Sequence, residues 1–130
     1  MRAGETLEPQ RFAVRRADLV RYAGASGDFN PIHWSDRVAT SVGLPGVIAH
    51  GMFTLALAAR AVAEWTDGAE VVELGAKFTN PVVVPDDDHG VEVVVDGAVS
   101  SVDDGLVTLS LTVTCGEQKV LGMPRAVVRA

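Results

Sequence analysis

Cysteine is almost absent from this chain: Cys115 stands alone, so no disulfide can close within it and packing must hold the fold. A lone thiol fits a reducing compartment. Aromatic residues are scarce at 5%, which leaves Val, Leu and Ala to build the core. Basic residues number 11 against 17 acidic ones, a net charge of −6, and this argues against nucleic acid as the main partner. Long apolar runs are missing too. The longest, Val47 to Val62, is broken by His50 and Arg60 and is too short to span a bilayer. The first eight residues carry Arg2, Glu5 and Glu8 and no apolar stretch of the kind a secretory leader needs. Together these absences predict a cytoplasmic protein with neither membrane nor nucleic acid as partner. With no linker, repeat or low-complexity segment, residues 1–130 are expected to form one domain.

What is present suits a packed core, with 48% hydrophobic and 22% charged residues. Charge is uneven along the chain. Residues 1–60 hold seven Arg and five acids, whereas residues 61–130 hold four bases and twelve acids. An anionic partner would therefore meet the first half, where Arg15, Arg16, Arg21, Arg37 and Arg60 are the candidate contacts for phosphate or an acidic carrier. Periodicity divides the chain in the same way. A short strand is expected over 10–16, then a short helix entered at Asp18 and ending near Gly24, and another over 35–42 closed by Gly43. The segment His50–Trp65 is apolar at nearly every position, which predicts a long helix buried on nearly every face. Beyond Asp67–Gly68 the period changes to two. Val107, Leu109, Leu111 and Val113 alternate strictly with Thr108, Ser110, Thr112 and Thr114, and looser alternation covers 72–78, 91–95 and 120–128. A buried helix followed by an antiparallel meander is an α+β domain whose sheet wraps the helix. Its open edges predict dimerisation.

Chemistry concentrates in Ser26-Gly27-Asp28-Phe29-Asn30-Pro31-Ile32-His33. Asp28 and His33 place a carboxylate and an imidazole on either side of a rigid Asn-Pro bend, so both can aim at one point. An imidazole exchanges protons near neutrality, and a neighbouring carboxylate can hold it or share a water with it. Against this stands a plainer reading, in which Asp28 closes an Asx-turn and His33 is an ordinary turn histidine. The second segment is Ile48-Ala49-His50-Gly51-Met52, at the start of the long helix. Amides there lack intrahelical partners, and Gly51 would let a ligand carbonyl approach the backbone. His50 reads as a cap and supporting residue. Asp86-Asp87-Asp88-His89 reads as a solvated turn, because Gly97 stands where a calcium loop needs an acid. Cys115, on an alternating strand, reads as a structural thiol and Trp65 as packing.

The run from Tyr22 to Asp36, with Gly27-Asp28-Phe29-Asn30-Pro31-Ile32-His33-Trp34 at its centre, resembles the hydratase motif of the MaoC-like hydratase/dehydratase family. Ile48-Ala49-His50-Gly51-Met52 and Lys77-Phe78-Thr79-Asn80-Pro81-Val82 extend the likeness over most of the chain. The resemblance implies a single hotdog fold: an antiparallel sheet around a long central helix, working as a homodimer or paired with a second hotdog subunit. It implies a catalytic dyad of Asp28 and His33, a carbonyl-binding amide at Gly51, support from Asn30, Ser26 and His50, and an acyl pocket lined by Trp34 and Met52. The reaction implied is syn removal of water from (3R)-3-hydroxyacyl thioesters, on carrier protein or CoA, with no metal or redox cofactor. Which dyad member takes the C2 proton stays open. Related hydratases often carry a Ser further along the helix, where this chain has Ala58-Ala59-Arg60. A thioesterase would need a carboxylate on that helix, and only Glu64 near its far end is available. A non-catalytic partner subunit would be expected to lose a member of the Asp28–Asn30–His33 set.

Overall fold

The structure, a computed structural model, describes all 130 residues. In chain order it runs β1 (Thr6–Val14), α1 (Arg16–Ser26), a 3-10 turn (Pro31–His33), α2 (Asp36–Ser41), α3 (Gly51–Thr66), β2 (Glu70–Phe78), β3 (Val91–Asp103), β4 (Leu106–Cys115), β5 (Gln118–Lys119) and β6 (Leu121–Arg129). The strands form one antiparallel sheet in the order β1-β3-β4-β6-β2, and the two-residue β5 pairs with β4. Alternation explains the sheet's inner face. Val93, Val95 and Val99 on β3, and Val107, Leu109, Leu111 and Val113 on β4, are all buried in one core cluster. Each such side chain contributes about 1.5–3 kcal/mol by leaving water. No helix is long and apolar enough to cross a membrane.

Several expectations are corrected. α1 runs past Gly24 to Ser26 and stops where Gly27 turns left-handed at φ 78°, its amide bonding the Ala23 carbonyl at 2.9 Å. Asp18 lies inside the first turn, where its Oδ2 accepts the Arg15 amide at 2.8 Å. β1 begins at Thr6, and β3 continues to Asp103 because Asp96 and Ser100 turn outward between core-facing valines. The meander holds only for β3, β4 and β6. β2 crosses to the far edge and pairs with β6.

The largest difference concerns α3. Thr54, Leu57, Ala58, Ala61 and Val62 bury one stripe, at the three-and-four spacing a single face requires. Met52, Ala56, Arg60, Ala63 and Glu64 are exposed, so the helix is not buried on nearly every face. One curled sheet covers one side of a cylinder, and a single chain has no second layer for the other side. Trp65, as read, packs: its ring rests on Gly97, where a Cβ would come within 2.9 Å, and its indole N–H donates to the Glu8 carbonyl at 2.7 Å.

Residues 47–49 connect α2 to α3 and are held from three sides. They pair with residues 82–84, through Ala49 N–H to Val82 O and Val84 N–H to Val47 O, both 2.9 Å. The Ile48 amide donates to the Ile32 carbonyl at 3.1 Å. Asp36 Oδ1 accepts the Val47 amide at 3.1 Å and the Arg16 guanidinium at 2.9 Å, while Arg16 Nε donates to Val84 O at 2.7 Å. Arg16 is thereby spent on structure rather than left for an anionic partner. Its guanidinium, with the Val47 amide, holds the Asp36 carboxyl below its usual range.

Candidate active site

Residues 26–34 lock themselves by short-range bonds before any tertiary contact is counted. Ser26 Oγ accepts the Asp28 amide, Asp28 Oδ1 accepts the Asn30 amide, and Asn30 Oδ1 accepts the Ile32 amide, each at 3.2 Å. Pro31 begins the 3-10 turn that ends at His33. Asp28 is therefore an Asx-turn residue, and the plainer reading of it is correct as far as it goes. It is also more, because Oδ2 is left free and lies 3.8 Å from His33 Nε2.

His33 is 7% exposed, and its Nδ1 lies 2.7 Å from the Ile48 carbonyl oxygen. A carbonyl only accepts, so Nδ1 carries the proton in the neutral ring and Nε2 is a bare acceptor facing Asp28. The anchored 47–49 segment thus sets the tautomer of His33. That same segment leads into α3, whose N-cap is His50 and whose first two amides, Gly51 and Met52, have no intrahelical acceptor.

These groups open on one cavity of about 610 Å³, with Asp28, His33, His50, Gly51, Met52 and Ser26 in its wall. Asn30 stays outside, ordering the loop through Ile32. Trp34 does not line the cavity, contrary to expectation. Its ring is 54% exposed and its indole N–H bonds the Phe29 carbonyl at 3.0 Å, bracing the loop from without. Of the five arginines expected to meet an anionic partner, Arg15, Arg16, Arg21 and Arg60 are engaged within the chain, by Asp88, Asp36, Asp18 and the Phe12 ring respectively.

Sequence reasoning missed Tyr22, Thr54, Phe78 and Asn80 in the cavity wall. Thr54 carried a signal, as the single polar residue on the buried stripe of α3. Phe78 stands in the Lys77–Val82 run of the family likeness, but only the crossing of β2 to the far edge brings it to Gly51. Its ring lies so close that a Cβ on residue 51 would stand 3.0 Å from it.

Donor atoms of Asp28, His33 and His50 come within 4.8 Å of one another. The two imidazoles are stacked, with planes 21° apart, so their in-plane lone pairs run side by side instead of converging. One nitrogen of each ring also faces a carbonyl oxygen.

Known proteins resemble this chain in sequence and in fold. The chain is 43% identical over 73 residues to 3-hydroxyacyl-thioester dehydratase X of Mycobacterium tuberculosis, covering 55% of this chain and 25% of that protein. It is 28% identical over 87 residues to the mitochondrial 3-hydroxyacyl-[acyl-carrier-protein] dehydratase of Arabidopsis thaliana, covering 67% and 52%. A solved MaoC-like dehydratase superposes with a TM-score of 0.94 at 33% identity, over 99% of this chain and 40% of that one. The chain thus spans about a quarter of the first relative and about half of the second. The family model described as MaoC like domain matches residues 2–119, the helix and sheet have the hotdog arrangement, and the chain belongs to the MaoC-like domain family.

Proposed function

We propose that this chain is a hydro-lyase domain that removes water from (3R)-3-hydroxyacyl thioesters to give trans-2-enoyl thioesters, and catalyses the reverse addition. The observation that carries the reading is the convergence of three groups on one cavity. These are a carboxylate and a bare imidazole nitrogen 3.8 Å apart, and unpaired amides at the start of a 16-residue helix. The Gly51 amide, at the positive end of the helix dipole, takes the thioester carbonyl and stabilises the enolate that forms as the C2 proton leaves. One of Asp28 and His33 takes that proton. The pair hands the same proton on to the 3-hydroxyl as the C3–O bond breaks, so that water departs and the carboxylate and imidazole end as they began. Ser26 and Asn30 hold the Asp28 loop, and Met52 faces the acyl chain. No step calls for a metal or redox group. The names of the two dehydratase relatives support the thioester class, and acyl carrier protein is the first choice of carrier.

For assembly, we propose that β2 pairs with β2 of a second hotdog chain. The other edge, β1, is blunted by Pro9 at an irregularity between Leu7 and Gln10. β2 has no proline and exposes Val71, Val72 and Phe78. An antiparallel self-pair centred on Gly75 sets Glu73 opposite Lys77 of the second copy. Phe78 and Met52, 58% and 57% exposed, lie on this side and also line the cavity, so the second chain would complete its mouth.

The test is hydration of trans-2-enoyl thioesters, offered on acyl carrier protein and on CoA at matched chain length. Activity is expected on both, with the higher kcat/KM on carrier protein. A higher kcat/KM on CoA would make the chain an (R)-specific enoyl-CoA hydratase. Asp28→Asn and His33→Ala are each expected to lower kcat by about 10²–10⁴-fold with the circular dichroism unchanged. Near-wild-type turnover in both variants would remove the dyad. No turnover of either thioester by the wild-type chain, alone or with a second hotdog subunit, would favour a non-catalytic role.

A further inference from the structure

The chemistry above uses the imidazole of His33 and leaves that of His50 without a task. His50 is 2% exposed, and its ring stacks on His33 with centroids 3.7 Å apart. Its Nε2 lies 3.1 Å from the backbone carbonyl of Asp28. A carbonyl cannot donate, so Nε2 carries the proton and Nδ1 is bare. That Nδ1 is fully buried and has no partner. His33 holds the opposite tautomer, with its proton on Nδ1 and its bare Nε2 toward Asp28.

We propose that His50 is a positioning residue of the acid–base pair: it holds the Asp28 main chain through Nε2–H and holds the plane of the His33 ring by stacking. Its place in the chain makes the role possible. It follows Ala49 of the anchored segment and directly precedes Gly51. Its own carbonyl accepts the Phe53 and Thr54 amides at 3.0 and 3.2 Å, which turns the Gly51 amide outward. One residue therefore ties together the carboxylate, the imidazole and the carbonyl-binding amide. Tyr22 backs the stack from α1, its ring 4.8 Å from His50 and 5.4 Å from Phe53.

This inference deepens the dehydratase reading but can be read without turnover. Long-range proton–nitrogen correlation spectra of the histidine-labelled protein report the tautomer and charge of each ring. In the resting protein His50 is expected to carry its proton on Nε2 and His33 on Nδ1. Two variants separate the two holds. His50→Phe keeps a flat ring and loses the donor, whereas His50→Gln keeps a donor and loses the ring. Each is expected to lower kcat roughly ten- to hundredfold with KM changed less than about twofold, and His50→Gln alone to move the His33 ring resonances at fixed pH. An Nδ1–H tautomer of His50 would overturn the proposal. So would unchanged kcat and unchanged His33 ring resonances in both variants. If the spectra behave as expected but no thioester turns over, the positioning role stands and the dehydratase reading falls.

Discussion

Glycine at position 51 is required by its neighbour and not by its backbone. The residue opens α3 at an ordinary helical position, so alanine fits the chain conformation there. What an added Cβ meets is the Phe78 ring at 3.0 Å. That ring is over half exposed and can swing outward, so Gly51→Ala is expected to change the melting temperature little. The methyl group and displaced ring would nevertheless stand beside the amide that the thioester carbonyl must reach. A fall in kcat/KM of up to about 10²-fold is expected, measured on a trans-2-enoyl thioester. Full kcat/KM in this variant would show that the carbonyl binds elsewhere. At this scale the sequence was partly legible. Asp28, His33 and Gly51 could be singled out because loop-forming residues and a helix start lie next to each other in the chain. Phe78 and Tyr22 lie in runs that carry the family likeness, but no local pattern marks either side chain as facing the site.

At the scale of elements, the site depends on how the 47–49 segment is held. α1 reaches it through Arg16 and α2 through Asp36, and the two side chains meet at 2.9 Å. Because the Asp36 pKa is depressed by the Arg16 and Val47 bonds, its contribution to stability is complete above the usual carboxylate pKa of about 4. The contribution is lost as the pH falls through the lower, folded value. Thermal unfolding between pH 6 and 3 should show this loss in the wild type and a shallower pH dependence in Asp36→Asn. Asp36→Asn should also lower activity at neutral pH, since Val47 leads directly to His50. Identical pH slopes in the two proteins would mean that the clamp carries no load. Arg16 illustrates why such a role is invisible beforehand: its partners are 20 and 68 positions away.

At the scale of the whole molecule, the exposed face of α3 and the open edge of β2 lie on the same side as Met52 and Phe78. Light scattering is expected to report a dimer, and Gly75→Pro, which alters an edge strand without touching the core, should shift the chain toward monomer. Glu73→Lys with Lys77→Glu should restore pairing that either single change weakens. A wild-type monomer with full activity on long-chain thioesters would overturn the assembly and the completed cavity together. By itself the sequence determined the strict alternation of β4, the place and length of α3 and the self-locking Ser26–His33 loop, because all three rest on contacts within a few residues. Only the tertiary structure decided the order of strands, the tautomer of His33, the stacking of His50 and the arrival of Phe78 at Gly51. Each of these depends on groups far apart in the chain that meet only when the sheet closes, and no local propensity encodes such a meeting.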